Sequence, residues 1–433
     1  MFYNIYFNDT TYENKLYFYT QNNIISQKHK FMKTIKSLFL GAGVAIAMLS
    51  ACSSEPKLTA SGLDPAKFET TINGKQVKLY VLKNSAGMEA CITNYGGRVV
   101  SLMVPDKDGK LVDVVLGYDN IEQYKDTTKY ASDYGSSVGR YANRIKDGKF
   151  KIDTLEYQLK QNDVHGDVAH CLHGGGSTGW MNQVYDVVNS NDSTLILQLT
   201  AKDGENGFPG TVTATTTYTL KNDGTLDIVF EASTNKTTII NMTNHNYYNL
   251  NGDMSKDGMD MVLMINADNY TPSDETYIPT GKIEPVEGTP MDFRQPTVIK
   301  ENMEKDTTFQ QIKNAGGYDH NWCLNTYDLK KGEGDDTQIC ASLYSPTTGI
   351  MMEMYTNEPG VQVYTGNFQG KGEGADNHRK NGISYPTHVS VCLESQKYPD
   401  SPNHPEWPSP IVKPGKGESK YYSHAAYKFY VKK

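Results

Sequence analysis

The residues able to do chemistry in this chain are histidines, acids and one arginine set among glycines, amides and aromatics. VSVCLESQKYPD (389–400) carries Glu394, LHGG (172–175) carries His173, and NMTNHNYYNL (241–250) carries His245. GGYDHNW (316–322) carries Asp319 behind a Gly-Gly, and YANRIKDGKF (141–150) carries Asn143 and Arg144 before the hairpin signal Asp147-Gly148. Carboxylates and imidazoles are the groups that move protons near neutral pH, so the chemistry on offer is general acid–base catalysis. The amides and rings around His245 suit a neutral polyol, by hydrogen bonds to hydroxyls and packing on a C–H face. Each residue also has an ordinary reading: a loop histidine, an Asn-stabilised turn, an Asp capping its own backbone, a surface ion pair.

The elements that must hold these residues read as strands. Val389, Val391 and Leu393 alternate as one apolar strand face, which puts Ser390, Cys392, Glu394 and Gln396 on the other. Such a polar face belongs either to solvent or to a cleft. TVTATTTYTL (211–220) is almost pure β-former and is followed by Asn222-Asp223-Gly224 and TLDIVFEAST, a hairpin pattern. Asp108-Gly109 joins two further apolar runs, and 91–104 is broken at Gly96-Gly97. No amphipathic helix longer than two or three turns and no fixed repeat is visible. The regular strand–turn spacing predicts an all-β fold, one large antiparallel β-sandwich with a concave face.

Bulk composition narrows the partners. The 433 residues contain 30 Tyr, 13 Phe and 38 Gly, and the formal charge is −8. Arginine occurs at Arg98, Arg140, Arg144, Arg294 and Arg379 alone, too few for the clustered phosphate contacts of a nucleic-acid partner. Neutral substrates fit better than phosphorylated ones. His-x-x-x-His on a helix, G-x-S-x-G, Walker loops and Rossmann glycine patterns are missing, so the sequence calls for no metal, nucleotide or other cofactor. Cys91, Cys171, Cys323, Cys340 and Cys392 stand apart without Cys-x-x-Cys pairing.

The N-terminus reads as targeting rather than fold. MKTIK (32–36), an apolar stretch (38–49) and Leu49-Ser50-Ala51-Cys52 resemble a bacterial lipoprotein signal over 32–51, with Cys52 lipidated. The apolar stretch is short for a membrane span, so the lipid is the expected membrane contact, on the periplasmic or cell-surface side. Residues 1–31, rich in Phe, Tyr, Asn, Ile and Lys, read as an upstream start-site error or an extension ahead of Met32. Residues 52–65 read as a polar tether and 66–433 as one catalytic domain.

Taken in order, nine segments resemble the aldose 1-epimerase (galactose mutarotase) family. They are TNYGGRVVSLMVPDKDG (93–109), VVLGYDNIEQY (114–124), VGRYANRIKDGKF (138–150), LHGG, DGENGFPG (203–210), NMTNHNYYNL, GGYDHNW, EPGVQVYTGN (358–367) and CLESQKYPDSPNHPEWPS (392–409). The resemblance implies a galactose-mutarotase β-sandwich that interconverts the α and β anomers of aldohexoses such as galactose or glucose. It implies Glu394 as general base and His245 as general acid, with His173, Asp319, Asn143, Arg144 and Gln362 binding the sugar. An unperturbed Glu near about 4.3 would be ionised at neutral pH, and His near about 6.5 would be placed to donate. Asn246, Tyr248 and the stretch 163–171 depart from the usual family pattern, which bears on sugar preference. A non-catalytic sugar-binding protein and a hexose-6-phosphate epimerase are the alternatives on the same fold. Keeping Glu394, His245, His173 and Asp319 together argues against the first, and scarce arginine with an exported location against the second.

Overall fold

Alternation in the sequence becomes alternation in burial. Along Val212–Leu220, the residues Val212, Ala214, Thr216, Tyr218 and Leu220 are buried, and the threonines between them are half-buried. Asn222-Asp223-Gly224 turns this strand into Thr225–Thr234, as its residue types require: Gly224 has φ +88°, and a Cβ there would meet the Phe429 carbonyl oxygen at 2.5 Å. The computed structural model describes residues 57–127, 133–370, 380–415 and 420–433. The extension, the signal and Cys52 lie outside the described residues.

Two layers of antiparallel strands face each other. One is a nine-stranded sheet, in the order Asp186–Ser190, Thr194–Ala201, Val212–Leu220, Thr225–Thr234, Tyr421–Val431, Ile350–Thr356, Ala341–Tyr344, Val262–Ile265 and Thr297–Val298. The other holds a six-stranded sheet, Tyr247–Tyr248, Val391–Gln396, Gly360–Tyr364, Asp319–Cys323, Asn269–Thr271 and Glu284–Pro285, and a four-stranded sheet built on Glu89–Thr93 and Arg98–Pro105. Leu197, Tyr218, Phe230, Met352 and Tyr427 from the first layer pack with Ile92, Leu102, Trp322, Val361, Val363, Val391 and Leu393 from the second. Each such fully buried side chain stabilises by about 1.5–3 kcal/mol, so this interface is the main term holding the layers together. A hydrogen bond from Tyr427 Oη to the Leu393 carbonyl, 2.9 Å, crosses between them. Helix among the described residues is limited to short α segments such as Ile121–Lys125, Ile299–Glu304 and Gln310–Ala315.

Two expectations need correction. Asp147-Gly148 turns the chain but makes no hairpin, because Arg144–Ile145 pairs with Cys171–Leu172 while Lys149–Ile152 pairs with Leu155–Gln158. Asp147 adopts φ 54° and carries the chain from one small sheet to another. The described part of the expected tether, 57–65, is also not free of the domain. Leu63 is buried, the Ala60 N–H donates to Glu89 Oε1 at 2.6 Å, and Ser61 bonds Ser101 at 2.9 Å. Folded packing therefore begins ahead of residue 66.

Candidate active site

Three neighbouring strands of the six-stranded sheet line up the acids. Gln362 lies opposite Glu394 on one side and Asn321 on the other, and Asp319 is two residues from Asn321, hence on the same face. Gln362 Nε2 donates to Asp319 Oδ1 at 2.7 Å, which ties the row together. Val391 and Leu393, on the opposite face, sit in the core. Glu394 itself is 2% exposed, so the polar face of this strand is covered rather than solvated.

The cover comes from outside the sheet. His245 ends the strand Thr243–His245, where it pairs with Ser136, and its Nε2 stands 3.5 Å from Glu394 Oε1. Its ring stacks on Tyr247 at 4.8 Å between centroids and meets the His173 ring edge-on at 5.3 Å. His173 and Asn143 hold each other: the Asn143 N–H donates to His173 Nδ1 at 3.2 Å, and the His173 N–H donates to the Asn143 carbonyl at 3.3 Å. Both have left-handed backbone, φ 50° and 64°, a strained conformation for non-glycine residues that functional sites often retain. Arg144 Nε donates to Asp163 Oδ2 at 2.7 Å, its guanidinium lies 4.6 Å over the Tyr277 ring, and its Nη1 is 4.0 Å from Asp319 Oδ2.

All seven residues expected from the sequence are thus brought to one place. Asp163, Tyr277 and Asp133 join them. Asp163 lay in a stretch singled out only as unusual, and neither Tyr277 nor Asp133 sits in a motif.

The electrostatics are those of a buried acidic site. Burial first, then the like charges of Asp319 and Asp133, push the Glu394 carboxyl well above its ordinary range, with Arg144 opposing. Asp319 is raised by burial, although Arg144 and the Gln362 hydrogen bond pull it back. Burial lowers His245, against the pull of Asp133 and Asp319, and brings His173 down to about 4. At Asp163 burial is outweighed by Arg144 and His165, which hold the carboxyl below its usual value. The ordinary values for Glu394 and His245 therefore do not apply here: desolvation raises the first and lowers the second.

Glu394 Oε2, His245 Nδ1 and Gln362 Oε1 are buried and find no hydrogen-bond partner among the described residues. Buried polar atoms are ordinarily hydrogen-bonded to protein, water or ligand, and the hydroxyls of a bound molecule can answer these three. A base, an acid and a ring of donors and acceptors can deprotonate one oxygen while protonating another.

Comparisons with known proteins give the same picture. The family model described as aldose 1-epimerase matches residues 78–424. Galactose mutarotase from Rattus norvegicus is 36% identical over 352 residues, 80% of this chain and 93% of that protein. Aldose 1-epimerase from Escherichia coli K12 is 34% identical over 363 residues, 82% and 96% of the two chains. Among solved structures, a GalM/aldose epimerase homologue from C. elegans superposes with TM-score 0.72 at 26% identity, covering 82% of this chain and all of that one. Galactose 1-epimerase from Lactobacillus acidophilus gives 0.68 at 28%, covering 83% and 96%.

The histidine shifts carry a stability consequence. His173 is held below its unfolded value of about 6.5, so the unfolded chain binds more protons there, and the stability it contributes is present above that value and lost as pH falls towards about 4. Thermal melts should show a smaller acid-side drop in Tm for His173→Asn than for the unaltered protein between pH 6.5 and 4. Parallel curves would rule out a buried neutral His173.

Proposed function

Because the chain belongs to the aldose 1-epimerase family, we propose that this site interconverts the α and β anomers of free aldohexoses such as galactose or glucose. Glu394 takes the proton from the C1 hydroxyl and His245 gives one to the ring oxygen. Both oxygens are bonded to the same carbon, which suits a base and an acid 3.5 Å apart. The C1–O bond to the ring oxygen breaks, the C1 carbonyl rotates, and ring closure on its other face reverses both transfers. His173, Asn143, Arg144, Asp319 and Gln362 hold the hydroxyls while this happens. The observation that carries the reading is the pairing of Glu394 with His245, each with an unpartnered buried atom, in one enclosed place.

Proton counting explains why neutral partners are useful here. A neutral carboxyl beside a neutral imidazole holds as many protons as a carboxylate beside an imidazolium. One proton moved between them supplies the base and acid for one direction, and the product state supplies them for the return. General acid and base each contribute roughly 10²–10⁴-fold, best with pKa values near the working pH, and burial moves Glu394 upward towards it.

A protein that only bound sugar would need no proton-transfer pair, whereas Glu394 and His245 stand 3.5 Å apart as a base and an acid. A hexose-6-phosphate would meet Glu394, Asp319, Asp163 and Asp133, with Arg144 already committed to Asp163. Neutral sugar is the better match.

The targeting features support a second proposal, that the mature chain is exported and held on a bacterial membrane by lipid on Cys52. It rests on the charged segment, apolar stretch and Leu-Ser-Ala-Cys ending of the sequence.

Polarimetry on freshly dissolved α-galactose and α-glucose tests the activity. The unaltered protein should speed the approach to anomeric equilibrium, and Glu394→Gln should remove at least about 10²-fold of that rate while sugar binding survives. Absence of acceleration by the unaltered protein would refute the enzyme. The pH profile of kcat/KM should be bell-shaped. Its acid limb, from a second proton entering the pair, should lie below the ordinary histidine value because His245 is lowered. Its alkaline limb, from loss of the shared proton, should lie above the ordinary carboxylate value because Glu394 is raised. Expressed in a bacterium with lipoprotein processing, Cys52→Ala should move the protein out of the membrane fraction; unchanged fractionation would remove the anchor.

A further inference from the structure

Asp133 belongs to none of the matched motifs that supply the expected acid, base and sugar ligands, yet it stands among them. Its carboxylate and a ring nitrogen of each of His173 and His245 all lie within 4.8 Å of one another. The placement is built in. The Gly135 N–H donates to the His245 carbonyl at 2.9 Å, the Val99 N–H donates to the Gly135 carbonyl at 2.9 Å, and Ser136 closes a turn on the Asp133 carbonyl with its N–H and its hydroxyl. Gly135 has φ +67°, and a Cβ there would lie 2.1 Å from the Val99 carbonyl oxygen, so the turn that presents Asp133 needs glycine.

The triangle has the size of a hydroxyl site. Because the three atoms lie within 4.8 Å of one another, a point exists no more than about 2.8 Å from each, within ordinary hydrogen-bond reach. The chemistry matches as well. Because the Asn143 N–H occupies His173 Nδ1, the neutral ring carries its proton on Nε2 and donates from there. A carboxylate can only accept. The atom that satisfies both must accept from His173 and donate to Asp133, which a hydroxyl does and a ring ether does not. A bound cation would need the Nε2 lone pair of His173, which this tautomer withholds.

The hydroxyl can also be named, given the anomerase reading on which this step rests. With Glu394 at the C1 hydroxyl and His245 at the ring oxygen, the C1 side of the ring oxygen is taken. Its other flank is C5, whose substituent is the C6 hydroxymethyl group. We propose that Asp133 is a specificity-determining residue that accepts a hydrogen bond from the C6 hydroxyl of the aldohexose, in a triangle completed by His173 and His245. Its negative charge then selects against sugars that are anionic at C6.

Three sugars of one configuration test this: galactose, 6-deoxygalactose and galacturonate, each measured by polarimetry as kcat/KM. The unaltered protein should turn over 6-deoxygalactose about 10- to 100-fold less efficiently than galactose, the range for losing a charge-assisted hydrogen bond, and galacturonate less well still. Asp133→Ala should bring the galactose to 6-deoxygalactose ratio of kcat/KM close to one, mainly through KM for galactose, whatever it does to the rate on both sugars. Asp133→Asn should raise galacturonate relative to galactose. If the unaltered protein handles galactose and 6-deoxygalactose equally, the contact does not exist; this comparison needs no variant and is immune to misfolding. A variant that loses the same factor on all three sugars would make Asp133 a structural residue and overturn the proposal. An unaltered protein inactive on all three would instead bring down the anomerase reading, and this inference with it.

Discussion

The site depends on the register of three strands. Asp319–Cys323, Gly360–Tyr364 and Val391–Gln396 pair so that Asn321, Gln362 and Glu394 stand in one row, with Asp319 on the same face and bonded to Gln362. A slip of one residue in Val391–Gln396 would put Glu394 into the apolar core and Val391 and Leu393 into the site. Those two side chains pack against the nine-stranded sheet, so the core itself enforces the register. Burying Leu393 and aiming Glu394 are one structural event.

That arrangement places acids where water is scarce, which is costly unless the surroundings answer the charge. The answer is uneven. Arg144 neutralises Asp163 directly and reaches Asp319 at a longer distance, while Glu394 has a histidine in place of a cation. Uneven compensation separates the roles. The acid beside Arg144 and His165 is held below its ordinary value, and Glu394, more weakly answered by Arg144, is raised well above its own. The rigid two-layer core supplies the stability that tolerates this strain, including the left-handed backbone of Asn143 and His173.

Much of this was legible in the sequence because strands advertise themselves by period. The alternation in 211–220 and 389–394 found the strands Val212–Leu220 and Val391–Gln396, although Val389 precedes its strand and packs in a different cluster, and the resemblance brought Glu394, His245, His173, Asp319, Asn143, Arg144 and Gln362 to a single place. What alternation could not say is what lies over a polar strand face. The face of Ser390, Cys392, Glu394 and Gln396 looks solvent-ready in one dimension, and it is covered by histidines and an asparagine–arginine corner from distant parts of the chain. The same limit explains Asp147-Gly148, where local turn chemistry was right and the partner strand was elsewhere. The shifts of Glu394 and His245 are hidden for a related reason: ordinary pKa values assume water, and burial is a tertiary property.

Asp133 shows where such limits bite hardest. Its own segment, DYGSS, carries no periodicity and no motif, and an aspartate before a turn ordinarily caps its own backbone. Its position follows from a backbone bond between Gly135 and His245, residues more than a hundred apart, and from a glycine that lets the chain pass close to Val99. The acid and base of the reaction act on atoms every aldose shares, C1 and the ring oxygen, so they cannot by themselves tell one sugar from another. Discrimination has to come from groups placed on the substituents further round the ring. A carboxylate delivered by a turn, outside the paired strands, is the kind of group that can change while the strand register that aims the acid and the base stays as it is.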